Sequence, residues 1–291
     1  MWRGLCNDEP KRRRLSLLGA IVVNLSAHPM PASPSVSQAP VVLLTAGGGS
    51  LAHIVTNGLA DRLGGIVVIE EDQETKAQIL RRRARMLGWP RALSQAAAGL
   101  LIRLLQSQRR DRVNAIMHEH KLDASARGGI TVHRVSNHNS AEARQLLAGL
   151  KPSVVAVYGT RILNAKTLSC IPAPFLNYHA GINPKYRGQH PGYWALANGD
   201  PENAGVTIHL VDEGVDTGSI LYQAHCAFAP DDTISSYQFV QAARALPLFA
   251  RAIEDALAGD LDPHTVALPA RQWFPPTLGR YLCTGLMKGV W

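Results

Sequence analysis

Cysteine is scarce in this sequence, with Cys6, Cys170, Cys226 and Cys283 the four in 291 residues. They are far apart and form neither a CxxC pair nor a Cys/His ligand spacing, which argues against a disulfide framework and a structural zinc and suits a reducing compartment. A long apolar run is also lacking. The longest, near the N-terminus in LSLLGAIVVNL, is about a dozen residues, too short to cross a bilayer as a helix. Charged residues make up 18% and aromatic ones 6%, while 46% are hydrophobic, so the chain can bury a core and belongs with ordinary soluble globular proteins. Its length suits one large α/β domain with additions, or two modest domains.

Acidic residues are outnumbered, 22 against 30 lysines and arginines. The excess is local: residues 76–112 contribute about +9 and residues 1–40 about +3. LRRRARMLG and QSQRRDRV therefore read as one basic helical segment, either a phosphate-binding face or a solvated surface. Residues 1–39 are expected to be a disordered or spurious extension. KRRRLSLLGAIVVNLSAHPMPA has the outline of an export signal, with the competing reading a working chain that begins near Met30.

VVLLT, a glycine turn, a helix from about Leu51 to Leu63 and GGIVVIEED form a strand-helix-strand unit. A helical insertion over 74–122, broken at Gly88-Trp89-Pro90, predicts two or three helices. GGITVHRV, a helix capped by Ser140, PSVVAVYG and FLNYH continue the alternation, so the expected fold is α/β, a doubly wound, mostly parallel sheet. GVTIHLVD and ILYQAHCAF are further strands, and 235–257 is a closing helix that Pro247 is expected to kink. The main domain is thus 40–258, and 259–291 is a tail packed on it. HEH at His118–His120 lacks the spacing of a zinc-protease helix and reads as a solvated face.

FLNYH ends unlike a core strand. Asn177 and His179 are two apart and project to one face, at the carboxyl end where ligands of such sheets bind. An amide donor beside an imidazole suits a developing oxyanion, and a carboxylate is wanted to orient the ring. Asp216 in the glycine-flanked DEGVDTG is the candidate, against the plainer reading of a capped strand with a satisfied core histidine.

Asn177-x-His179, PKYRG, ALANGD and GVTIHLVDEGVDTGSILYQ, in that order and spacing, resemble the formyltransferases that use 10-formyltetrahydrofolate, from about Val41 to Gln223. The resemblance implies a Rossmann-like formyltransferase fold in which Asn177, His179 and Asp216 are catalytic. It also implies a pterin held by the main chain of Arg161, Ile162 and Leu163 and by the loop of Asp212, Glu213, Gly214, Val215 and Asp216. No metal is implied. The donor points to the cytoplasm, and the partner is a small-molecule amine, without a membrane.

The acceptor is less defined. Gly48, Gly49 and Ser50 open a helix and can cradle a phosphate, or serve packing alone. Arg187 can pair with an acceptor phosphate or fix its own loop. Tyr158, Tyr193 and Trp194 either line the acceptor pocket or pack in the core. The short tail and glycine loop favour a nucleotide-linked amino sugar or related metabolite. Glycinamide ribonucleotide and methionyl-tRNA are the alternatives, and a non-catalytic protein binding RNA or a partner through the Arg-rich helices is the reading from another class. Deleting residues 1–29 is expected to leave formyl transfer intact; an unfolded, inactive truncation, read by circular dichroism and assay, would overturn the view of that segment.

Overall fold

The computed structural model describes residues 40–107 and 110–291, so the expectations for residues 1–39 lie outside the described residues. A seven-stranded sheet organises the rest, in the order β3-β2-β1-β4-β5-β7-β8. The strands are β1 (Val41–Thr45), β2 (Val67–Glu71), β3 (Thr131–Val135), β4 (Val154–Tyr158), β5 (Phe175–His179), β7 (Gly205–Leu210) and β8 (Ile220–His225). The first five in that order run parallel. β7 is antiparallel to β5, and β8 to β7. The doubly wound α/β expectation holds.

Period-two alternation divides the core. Leu43, Val68, Ala156 and Tyr178 face one layer, where Val55 and Leu59 of α1 (Ser50–Leu63) meet Phe249 and Ile253 of α8 (Tyr237–Ala258). Val42, Leu44, Ile69, Val155 and Val157 face the other, against Ala143 and Leu147 of α5 (Ala141–Leu150). Central strands buried on both faces explain why VVLLT and VVAVY read as unbroken apolar runs. From β1 the chain winds out to β3 and then returns to β4 beside β1. That reversal opens a crevice at the carboxyl ends of the strands.

The insertion forms three helices, α2 (Lys76–Leu87), α3 (Trp89–Ser107) and α4 (Arg110–Glu119). Thr75 caps α2 in a reciprocal capping box with Gln78. His118, Glu119 and His120 are exposed. The short helices α6 (Ala165–Leu168) and α7 (Pro191–Ala197) flank β5 in sequence. α8 begins two residues later than the 235–257 reading and runs unbroken through Pro247.

The tail supplies β9 (Gln272–Trp273), paired with β6 (Arg187–Gly188), and α9 (Leu278–Lys288), capped by Thr277. Its Tyr281 and Trp291 join Tyr186, Tyr193 and Trp194 in a third apolar cluster. Tyr193 and Trp194 are therefore core residues, whereas half-buried Tyr158 borders the cleft described below. Among the described residues no helix is long and apolar enough to cross a membrane.

A buried ion pair ties the insertion to this body. Arg112 on α4 grips Asp232 with Nε and a terminal nitrogen at 2.8 and 3.0 Å, and the Asp232 side chain is fully buried. Burial opposes the Asp232 charge, but the Arg112, Ala229 and Ser236 donors outweigh it and hold the carboxyl below its ordinary range. Arg112→Ala strands a buried carboxylate and is expected to lower the unfolding free energy by about 3 kcal/mol at pH 7 in urea titrations. The stabilisation from a depressed carboxyl is present above its unfolded value of about 4 and is lost as pH falls toward the folded one. The gap between the two proteins should therefore narrow below about pH 4.

Candidate active site

β5 carries Asn177 and His179 on one face, and antiparallel pairing sets His209 of β7 directly opposite Asn177. His209 Nδ1 lies 2.7 Å from the Leu210 carbonyl oxygen, which can only accept, so this nitrogen donates. Nε2 is then free to accept from Asn177 Nδ2 at 3.0 Å. Nδ2 also points a hydrogen at Asp216 Oδ1, at 3.4 Å.

Asp216 enters from the loop between β7 and β8 with φ +52°, a left-handed conformation uncommon for a residue with a side chain. Its Oδ2 accepts the Gly188 N–H at 2.9 Å and stands 3.4 Å from His179 Nδ1, while Oδ1 lies 3.7 Å from His209 Nε2. Burial works against the charge. The His179 imidazole first, and with it the Gly188 N–H, outweighs it and holds the carboxyl well below the usual range.

His179 is fixed from behind. Its Nε2 donates to the Tyr186 carbonyl at 2.8 Å. Tyr186 is held in turn by its hydroxyl, which donates to Asp200 at 2.6 Å, and Lys185 reaches the same carboxylate at 2.6 Å. PKYRG and ALANGD thus form one assembly whose product is the position of a carbonyl. Gly188 has φ +91°, and a Cβ there would strike the Trp273 carbonyl, so the β6–β9 pair demands glycine.

Above these residues lies a cleft of about 820 Å³, within the range of small-molecule sites. Asn177, His179, His209 and Asp216 line it. Arg161, Ile162 and Leu163 line it too, as do Asp212, Gly214 and Val215. Ile162 is 61% exposed and its carbonyl accepts from Asn139 Nδ2 at 2.9 Å. The Arg161 N–H donates to Glu71 Oε1 at 2.8 Å, anchoring this strap to the end of β2. Burial raises the Glu71 carboxyl, but donors from His138 and Arg161 prevail and lower it overall.

Not every expected residue meets the cleft. Glu213 is exposed and outside its lining, as are Gly48, Gly49 and Ser50, although their neighbour Ala46 borders it. Arg187 also lies outside the lining; its Nη1 donates to the Val215 carbonyl at 3.0 Å, fixing the acidic loop. Sequence reasoning missed His209, the wall of Gln272–Pro275 and the α2 residues Arg82, Arg83, Met86 and Leu87. A lone histidine in the apolar GVTIHL was the one available signal for His209. Among the described residues no group of His, Cys, Asp and Glu is arranged to hold a metal.

The sequence model of one family, described as formyl transferase, matches residues 66–245. Curated relatives include the methionyl-tRNA formyltransferase of Chlorobium chlorochromatii, 37% identical over 103 residues, which are 35% of this chain and 32% of the relative. That of Marinobacter nauticus is 37% identical over 139 residues, 46% of this chain and 43% of the relative. The matches thus span less than half of these relatives. Among solved structures, a sugar N-formyltransferase from a Shewanella species gives a TM-score of 0.50 at 16% identity, covering 80% of this chain and 76% of that one. The phosphoribosylglycinamide formyltransferase of Coxiella burnetii gives 0.51 at 19%, covering 78% and 91%. These two likenesses are of fold.

The contact between His179 and Tyr186 leaves no room beside Gly181, where a Cβ would meet the Tyr186 oxygen and come within 2.6 Å of His179 Nε2. Gly181→Ala is expected to cost about 1–3 kcal/mol by overpacking. It should also shift the His179 ring resonances in NMR; an unshifted ring with wild-type stability would show that the contact is loose.

Proposed function

We propose that this chain, which belongs to the formyl transferase family, moves a formyl group from 10-formyltetrahydrofolate to the primary amine of a small acceptor, a nucleotide-linked amino sugar or related metabolite. The observation that carries this reading is the convergence of Asn177, His179 and Asp216 within 3.4 Å contacts on the floor of the cleft. The main chain of Arg161–Leu163 and the Asp212–Asp216 loop both contribute to its lining and suit a flat pterin with hydrogen-bonding edges.

The chemistry sets the demands. A neutral amine attacks the formyl carbon, so a carbon–nitrogen bond forms while the carbonyl oxygen gains negative charge. The bond from that carbon to N10 of the donor then breaks. The proton lost by the amine balances the one gained at N10, giving formamide and tetrahydrofolate. Asn177 Nδ2 and the Nδ1–H of a protonated His179, whose Nε2–H stays on the Tyr186 carbonyl, stabilise the oxygen, each well-placed donor supplying about 3 kcal/mol. Asp216 orients His179 and, directly or through a water, takes the amine proton. The walls from α2 and the tail limit water at the reacting carbon, and a cytoplasmic place of action goes with this donor.

A second reading has the amine carried on RNA, as in the methionyl-tRNA enzymes that this chain resembles. It is favoured by Arg81, Arg85, Arg91 and Arg103, all exposed on α2 and α3. Incubation with 10-formyltetrahydrofolate and a panel of amino-sugar nucleotides, glycinamide ribonucleotide and charged initiator tRNA discriminates the two by which amine consumes formyl groups. With the acceptor in hand, Asn177→Ala, His179→Ala and Asp216→Ala are each expected to fold and to lose at least about 100-fold in turnover. Full activity in a folded His179→Ala protein would sink the mechanism.

A further inference from the structure

Formyl transfer leaves a positive charge of the cleft unused. Arg82 and Arg83, consecutive on α2, both line it. Arg82 is satisfied, its Nε and Nη2 donating to the two Glu74 oxygens at 3.2 and 2.8 Å. Half-buried Arg83 is not. Its Nη2 donates to the neutral amide oxygen of Gln189 at 3.2 Å, and among the described residues no carboxylate reaches it at ion-pair distance. A guanidinium carries five N–H donors in a planar fork, and a partly buried cation without an anion is a cost the fold tolerates where a ligand supplies the partner. Burial and then the neighbouring Arg82 charge depress the Arg83 pKa, with Glu74 opposing them, so the site already resists this cation.

The surroundings make it a built position. Gln189 follows Gly188, whose N–H holds Asp216, and its own N–H donates to the Trp273 carbonyl at 2.9 Å. Gln189 therefore links this guanidinium of the insertion to the loop after Gly188 and to the tail. The Trp273 ring, with the Arg271 guanidinium 3.9 Å from its centre, continues the wall.

We infer that Arg83, braced by Gln189, is an anion-binding residue of the cleft that takes a phosphate or carboxylate carried by a reactant. This rests on the formyl-transfer reading above. The chemistry has two sources: a phosphate of the acceptor, or the glutamate carboxylates of the folate donor. Either anion sits away from the reacting carbon and orients its carrier.

Wild-type protein, Arg83→Gln and Arg83→Lys are titrated with inorganic pyrophosphate, monoglutamyl tetrahydrofolate and triglutamyl tetrahydrofolate, with thermal unfolding as the check on folding. The expected result is about a tenfold or greater rise in Kd for one class of probe in Arg83→Gln, with the wild-type affinity for that probe falling as salt rises. A loss confined to pyrophosphate assigns the acceptor phosphate; a loss that is larger for triglutamyl than for monoglutamyl folate assigns the donor tail. Arg83→Lys, which keeps the charge without the fork, should recover part of the loss, and it reads the same change against wild type if Arg83→Gln fails to fold. Wild-type affinity for all three probes in a folded Arg83→Gln protein overturns the inference, as does a wild type that binds none of them. A wild type that binds pyrophosphate through Arg83 but no tetrahydrofolate keeps the anion site and removes the formyl donor, so the two readings fail separately.

Discussion

The Asp216 carboxylate is mostly buried at the end of a sheet, and several separate pieces of chain must bring donors to it for that charge to be tolerated. An uncompensated buried carboxylate costs several kcal/mol. Here β5 contributes Asn177 and His179, the Gly188 N–H comes from β6, and His209 of β7 acts by directing the Asn177 amide. The left-handed Asp216 backbone, itself costing on the order of 1–3 kcal/mol, is what turns the side chain toward them. A charge so enclosed needs little reorganisation when a second charge develops beside it, which is the condition for electrostatic catalysis.

The same constraint reaches well beyond the sheet. Gly188 can present its N–H to Asp216 because β6 is paired with β9, and that pairing makes the tail part of the site's architecture. Tyr186 can present its carbonyl to His179 because Asp200 and Lys185 lock the loop beneath it. Burial, followed by the Asp200 contact, pushes the Tyr186 hydroxyl up to about 12, so it remains a donor at every working pH. Tail, loop and strand end are thus one cooperative unit, and a disturbance of Trp273 or Asp200 is transmitted to the histidine through hydrogen bonds.

What the sequence made legible follows from locality. The parallel strands are apolar runs of five, and the shared face of Asn177 and His179 follows from the period of a strand. Asp216 was legible through the order of motifs and the glycines that let its loop turn. His209 was not, because its role exists through antiparallel register with a strand 32 residues away. Trp273 reaches the site through a two-residue strand, too short to leave a pattern. Arg83 and Gln189 are 106 residues apart, so a charge left half-buried there reads in sequence as one more arginine of a solvated helix. The glycine loop at Gly48–Ser50 shows the converse: composition marks a helix start, but its distance from the cleft lining is a property of the packed sheet.

The amide of Asn177 has a direction, and His209 sets it. With Nδ1 donating to the Leu210 carbonyl, a neutral His209 offers Asn177 a lone pair, which requires the amide nitrogen and not its oxygen to face the cleft. A reversed amide would set its oxygen against both that lone pair and the Asp216 carboxylate. Of the two Nδ2 hydrogens, the one on His209 sits at an ordinary 3.0 Å and the one toward Asp216 at a long 3.4 Å. The second is weakly held and costs little to redirect. His209 therefore holds one hydrogen of the planar amide and so fixes the place of the other, for which a developing oxyanion can compete with Asp216, and the donor proposed for Asn177 depends on a histidine that need not touch either reactant.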